Sequence, residues 1–382
     1  MSFHAVASIR DRLDGRIARI RKELSNRQVD ALVVSDLSNL YYLTRLRLSA
    51  GLLVIGPGDT NLNLVIDFRY ETAVRELIEA RCTPHELSLV PVDPTYEETL
   101  VELTNTLGVR RLGIESDHTS VRRWQWLEKG IAAVLVPISE LIEKQRMVKE
   151  PAEIGVLREA GELLASAVPV VAKFIREGRT ELDVARDINR LICQIGFERP
   201  SFETIVASGP NSALPHAHPT ARSITRGDLV ILDFGGILDG YCVDMSRTVA
   251  VGWFTEENKR LYQAVSEAQL EALAVAIPGA AASAVDAAAR RVLAKHNLAD
   301  AFRHSTGHGI GIDVHELPRI GRVGVRSDGA IGDVSLAPGM VFTIEPGVYI
   351  PKRGGVRIED DVVVTKSGIE VLTPASRELL VT

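Results

Sequence analysis

Leu229-Val230-Ile231-Leu232-Asp233-Phe234, followed across Asp239-Gly240 by Tyr241-Cys242-Val243-Asp244-Met245-Ser246-Arg247, is the stretch on which the reading of this chain turns. The first run is apolar on both alternating faces, the pattern of a strand buried on both sides. An ionised carboxylate in such a run is costly unless it has a partner or holds its proton. Asp244 stands eleven residues on, in a second strand that pairs with the first if Asp239-Gly240 makes the turn. The two carboxylates then converge. The alternative at this point is that Asp244 pairs with Arg247 and Asp233 caps a turn.

Working outward, the same grammar occurs twice. A helical stretch over Ala152 to Glu177 ends at Gly178, and Thr180-Glu181-Leu182-Asp183 opens the next as a capping box with Asp in the Glu position. A second stretch, Glu256 to Ile277, ends at Pro278-Gly279, and Ser283-Ala284-Val285-Asp286 opens its successor. Strands follow each pair: Phe202 to Ala207, Leu229 to Phe234 and Tyr241 to Val251, then Met340 to Ile350 and Gly355 to Val364. The expected architecture is two halves of paired helices plus sheet related by a pseudo-twofold axis, with a site at the seam. Before them, a charged amphipathic stretch (Arg10 to Arg27) and short β-branched runs (Val29 to Val34, Leu52 to Ile55, Leu62 to Ile66, Arg111 to Ile114, Ala132 to Ile138) read as an α/β domain. The expected division is residues 1–145 and 146–382, with Pro151 as the first residue of a helix just past it.

Composition narrows the function. The 382 residues are 46% hydrophobic and 25% charged, enough for two packed cores. A net charge of -6 offers no broad basic surface, so neither nucleic acid nor a membrane is an expected partner. Cys82, Cys193 and Cys242 are widely spaced and odd in number, which argues against a disulfide framework or thiolate metal site. Ser8-Ile9-Arg10-Asp11-Arg12 contains no apolar signal core, and no run approaches the ~20 apolar residues of a membrane span. A cytoplasmic protein acting on small solutes or peptides is expected.

Three more segments carry polar groups in unusual settings. Gly307-His308-Gly309-Ile310-Gly311-Ile312-Asp313-Val314-His315-Glu316 lacks the strand–helix context of a dinucleotide fingerprint, and its glycines favour a close-packed loop or irregular strand. Glu345 ends the apolar run Met340 to Ile344 and is followed by Pro346-Gly347, which stops the ladder. In Val356-Arg357-Ile358-Glu359-Asp360-Asp361, alternation puts Arg357, Glu359 and Asp361 on one face and Asp360 on the other. Asp233, Asp244, His308, Glu345 and Glu359 together form an oxygen-rich set suited to manganese, iron, cobalt or zinc. Four carboxylates and a bridging hydroxide balance two divalent cations better than one, and such a pair can clamp a hydroxide and polarise an amide carbonyl.

In order and local context these residues resemble the creatinase/aminopeptidase family of metallopeptidases, which includes methionine aminopeptidase, aminopeptidase P and prolidase. The likeness spans nearly the whole chain and rests on Asp233 and Asp244 with their neighbours, the His308 to Glu316 segment, Ile344-Glu345-Pro346-Gly347 and Arg357-Ile358-Glu359-Asp360. It implies an α/β N-terminal domain plus an α+β pita-bread catalytic domain. It also implies that Asp233 chelates one ion, that Asp244 and Glu359 bridge both, and that His308 with Glu345 complete the other. Glu345 is then the general base, while His315 and His216, the latter in Ser208-Gly209-Pro210-Asn211-Ser212-Ala213-Leu214-Pro215-His216, contact substrate and stabilise the oxyanion. Arg357 orients the site or meets the substrate carboxylate, or it forms a salt bridge to a neighbouring acid. His218 has no family role.

The added N-terminal domain and Asp244-Met245-Ser246-Arg247 resemble the proline-directed branch, a homodimer that cleaves Xaa-Pro bonds through a metal-bridging hydroxide, most often with two Mn2+ ions. One departure concerns Arg45-Leu46-Arg47, where the family shows a Gly-Phe turn; it leaves substrate preference open. Three other readings compete. A creatinase-like hydrolase would have lost ligands that are intact here, and the others are a metal-dependent lyase or hydrolase of a small non-peptide and an inactive binding protein.

Overall fold

A computed structural model describes residues 3–58, 61–325 and 331–382. The chain separates into two compact units, Met1–Gln145 and Arg146–Thr382. In the first, six strands lie in the spatial order Leu87–Pro91, Leu62–Ile66, Leu52–Ile55, Ala31–Val34, Arg111–Glu115 and Val134–Ile138. Its pairings are mixed: Ala31–Val34 runs antiparallel to Leu52–Ile55 and parallel to Arg111–Glu115. Leu87–Pro91 is a strand the sequence pattern does not announce, since Ser88 and Pro91 interrupt its apolar residues. The core under one face gathers Val33, Val54, Val65, Leu112 and Ile114.

The second unit is built twice over. Helices Pro151–Ala172 and Glu181–Gln194 bury Leu157, Leu164, Ile188 and Ile192 against Val230, Leu232, Phe234, Val243 and Met245 of two long antiparallel strands, Leu229–Leu238 and Tyr241–Ala250. Helices Glu256–Val275 and Ala282–Lys295 bury Val265, Ala268, Val285 and Leu293 against Phe342, Ile344, Val362 and Val364. Those four belong to the antiparallel strands Val341–Ile344 and Asp360–Val364. In each half the helix-facing residues alternate with residues that face away, and the acidic set lies on that other face.

Asp239 and Gly240 both have positive φ, 45° and 80°, as a two-residue hairpin turn of the primed type requires. The turn fixes the register: Asp233 stands opposite Ser246, and Gly235 opposite Asp244. Asp233 and Asp244 are therefore diagonal neighbours on one face. Pro151 is the first residue of its helix, and Thr180 caps the next by accepting from the Asp183 amide. Two expectations need correction. Ser283 is not a cap: the helix begins at Ala282 with Ala281 before it, and the Ser283 hydroxyl bonds Asp333 instead. The strand expected from Gly355 to Val364 is broken into Gly354–Arg357 and Asp360–Val364 with Glu359 in the break, whereas the break between Val341–Ile344 and Gly347–Ile350 falls at Glu345, where the ladder is expected to stop. Pro346, which has no N–H to give a ladder, accounts for the break at Glu345. Among the described residues no helix is long and apolar enough to cross a membrane.

Candidate metal centre

The two halves meet along the edge of Tyr241–Ala250 that faces away from Leu229–Leu238; the last residues of that edge, Val249 and Ala250, pair with Leu380–Val381. There the Glu359 amide donates to Ser246 O (3.1 Å), the Asp244 amide donates to Asp361 Oδ2 (2.9 Å), and the Arg357 amide donates to Thr248 Oγ1 (3.1 Å). These bonds draw residues more than a hundred positions apart in sequence against Asp233 and Asp244. Asp244, His308 and Glu359 offer ligand atoms that all lie within 4.8 Å of one another. Glu345 Oε1 is 3.6 Å from His308 Nε2, and Asp244 Oδ2 is 4.0 Å from it.

His308 sits in the short strand Gly307–Gly309, between Glu316–Ile320 and Val341–Ile344. Its flanking glycines are required by proximity: a Cβ at 307 would lie 1.8 Å from Thr343 O, and one at 309 would lie 2.1 Å from Leu317 O. The His308 Nδ1–H donates to Gly309 O (3.0 Å), which leaves the Nε2 lone pair facing the acids. Burial, then repulsion from His315, lowers its pKa to about 4, so the ring is the neutral form that can ligate.

The acids are held without enough donors. Asp233 Oδ1, Asp244 Oδ1 and Glu359 Oε1 are buried and have no hydrogen-bond partner. Glu359 Oε2 accepts from Ser246 Oγ (2.8 Å), and Asp233 Oδ2 accepts from Arg357 Nη2 (2.6 Å). Burial first, and the charge of Glu359 next, push Asp244 and Glu345 well above the usual carboxylate range. Burial and Asp233 raise Glu359 to about 8. Orphaned oxygens in a cluster of mutually repelling carboxylates, beside an imidazole with its lone pair free, form an arrangement that cations complete. The donor set of oxygens plus one nitrogen fits divalent ions.

Arg357 is 3% exposed and fully engaged. Besides Asp233 it donates to Ser246 Oγ (2.8 Å), Tyr349 Oη (2.9 Å) and Pro215 O (3.2 Å). Its contacts are those of a residue that orients Asp233. Arg247 does not pair with Asp244, the alternative left open by the hairpin sequence; it donates to Asp360 Oδ1 (2.7 Å), which faces away from the site with Gln269 and Arg377 around it. His315 is exposed, its ring 4.3 Å from that of His308. His216 is exposed in a turn; burial first, and the charge of His216 next, lower the pKa of His315. His218 bonds Glu203 (3.0 Å) out on the same loop.

Sequence reading missed three residues. His304 Nε2 meets Tyr349 Oη (3.0 Å), so Tyr349 links His304 to Arg357, and nothing in spacing or composition marks either one. Asp361, fully buried with Oδ1 unpartnered, braces the Asp244 backbone. Alternation had put Asp361 on the Glu359 face, which was its only signal.

Residues 155–366 match the family described as Metallopeptidase family M24, and residues 16–148 match the creatinase/prolidase N-terminal domain. A relative named Xaa-Pro dipeptidase from Pyrococcus horikoshii is 34% identical over 371 residues, covering 97% of this chain and 100% of the relative. Among solved structures, the Xaa-Pro dipeptidase from Bacillus anthracis superposes with a TM-score of 0.89 at 33% identity, covering 97% of this chain and all of that one. The X-Pro aminopeptidase from Thermotoga maritima gives a TM-score of 0.84 at 29% identity over 96% of this chain and 99% of its own.

Proposed function

This chain belongs to metallopeptidase family M24 and is a peptidase with the pita-bread fold; we propose that it is a dinuclear-metal enzyme that cleaves Xaa-Pro bonds in dipeptides or at peptide N-termini. The observation that carries the two-metal reading is the orphaned oxygens of Asp233, Asp244 and Glu359, drawn from both halves, with Asp244 and Glu359 placed against His308. Asp233, Asp244 and Glu359 would hold one ion; Asp244, His308, Glu345 and Glu359 would hold the other, so that Asp244 and Glu359 would be shared. When bound, the pair supplies Lewis acidity to a scissile carbonyl and makes water available as a nucleophile at neutral pH.

The protein's own groups divide the remaining work. Arg357 fixes the rotamer of Asp233 through Oδ2 and leaves Oδ1 for a ligand role. Glu345, in the strand break, presents a desolvated carboxylate to take the proton of the attacking water, the general-base role. His315 and His216 stand at the exposed edge with ring N–H groups available to a developing oxyanion. Arg319 stands opposite His308 in the register of adjacent strands, on the same face, and is exposed, so a dipeptide's terminal carboxylate has a cation to meet. Mn2+ is the proposed ion, with Co2+, Zn2+ or Fe2+ compatible with the same donors. A homodimer in the cytoplasm completes the proposal, with light scattering as the check on assembly.

The decisive experiment assays Gly-Pro, Ala-Pro and Xaa-Pro tri- and tetrapeptides, with Xaa-Ala controls, against added Mn2+ and after chelation. Metal-dependent hydrolysis confined to bonds preceding proline is expected, and the lengths accepted separate dipeptidase from aminopeptidase. Absence of proline-dependent cleavage with every divalent ion overturns the proposal.

A further inference from the structure

Away from the acids, the second unit contains a buried ion cluster that the reaction itself does not use. The side chain of Glu316, the residue after His315, is buried, and its carboxylate is divided between two cations: Oε1 accepts from Lys149 Nζ (2.6 Å) and Oε2 from Arg146 Nη2 (2.5 Å). The side chains of Lys149 and Glu316 are 1% and 5% exposed, so this is no surface pair. Arg146 Nη2 also donates to Asp313 Oδ2 (2.7 Å), within the same loop. Lys149 is itself fixed, its amide donating to Gly339 O (2.9 Å). Gly311 makes room: a Cβ there would lie 2.4 Å from Glu316 Oε1 and 3.1 Å from Lys149 Cε.

The topology gives the cluster its meaning. Gly309 and Glu316 are paired across adjacent strands, so residues 310–315 form a closed loop whose last member is His315. Glu316 is the first residue of its strand and His315 the last of the loop, so anchoring the Glu316 side chain fixes the backbone from which His315 projects. A buried ion pair contributes little net stability compared with an apolar replacement, and a role in fixing conformation is the better reason for this one. We propose that Glu316, gripped by Lys149 and Arg146, is a positioning residue that holds the His315 ring at its place beside His308. The inference rests on the reading of His315 as the group that meets the substrate's developing charge.

The test uses the full chain loaded with Mn2+ and a Xaa-Pro dipeptide. Lys149→Met and Glu316→Gln are each made alone and in a His315→Ala background, with Lys149→Arg as the conservative control. Either single change should lower kcat by about 10- to 100-fold, the size expected for an ångström-scale misplacement, with KM and bound metal little altered. Lys149→Arg should restore most of the loss. In the His315→Ala background the same changes should add less than about twofold, because residues acting as a unit are not additive. Amide exchange should rise in residues 310–316 of Lys149→Met while the helices keep their protection, a readout that needs no activity. Unchanged loop exchange, or losses that multiply fully in the His315→Ala background, overturns the clamp. Full turnover in His315→Ala overturns the histidine's role and the clamp with it, an outcome distinct from impaired His315→Ala beside a normal Lys149→Met. If Glu316→Gln does not fold, the two Lys149 variants carry the test.

Discussion

Glu115 in the N-terminal unit and Asp244 in the catalytic unit are each 5% exposed, yet they are built for opposite ends. Glu115 Oε2 accepts from the Ser35 and Asp36 amides (2.6 and 2.9 Å), and Oε1 accepts from Asn39 Nδ2 (2.8 Å). Burial raises the pKa of Glu115, and these donors draw it back. Around Asp244 the largest influences after burial are further acids, Glu359, Asp233 and Asp361, and all of them push the same way. Burial by itself therefore says nothing about function. What separates a structural carboxylate from a candidate ligand is whether the fold supplies donors to its oxygens or withholds them. Glu181 in the catalytic unit confirms that the distinction follows donors rather than domain: it is fully buried and accepts from Ser208, Asn211 and Thr220.

The contrast is most easily broken at Asp244. Asp244→Ala should abolish turnover by about a thousandfold or more and lower bound metal together, measured by elemental analysis beside the peptide assay. Retention of both ions would mean that the orphaned oxygens are not ligands.

A second test removes the cations instead of a residue. In metal-free protein Glu359 holds its proton up to about pH 8, whereas in the unfolded chain it releases it near about 4.3. Between those values the folded state binds more protons, so its stability should fall as pH rises. Chelated protein should therefore melt progressively lower from about pH 5 to about pH 8. Adding a divalent ion should restore the melting temperature most at the upper end, where protons no longer compete for the ligands. A melting temperature of chelated protein that climbs across this window would contradict the donor-poor description.

The smallest effect sharpens the other side. Glu115→Ala strands the Ser35 and Asp36 amides and Asn39, and should cost the N-terminal unit about 3 kcal/mol. Urea unfolding followed by Trp124 and Trp126, both in that unit, reads the loss, while metal per folded molecule stays unchanged. A fall in metal content would show that Glu115 is not purely structural.

Much of this was legible before any coordinates. Asp239-Gly240 fixes a two-residue turn, the turn fixes the register, and the register alone puts Asp233 and Asp244 on one face. Pro346 after Glu345 marks the strand break, and alternation assigns Asp361 to the Glu359 side. The fold and the catalytic family were readable because the helix–strand grammar repeats and the motifs occur in order. The broken second strand, the role of Ser283 and the strand Leu87–Pro91 were not, since each turns on a neighbour distant in the chain or on apolar residues too interrupted to register as a pattern.

The sequence by itself determined which carboxylates could be buried and which pairs local geometry would align, because strand period and turn chemistry act over a few residues. Only the tertiary structure decided which of them would lack donors. Arg247 takes Asp360, Arg357 takes Asp233, and Lys149 with Arg146 take Glu316. Each choice joins residues roughly a hundred or more positions apart, through hydrogen bonds that exist only once both halves have folded against one another.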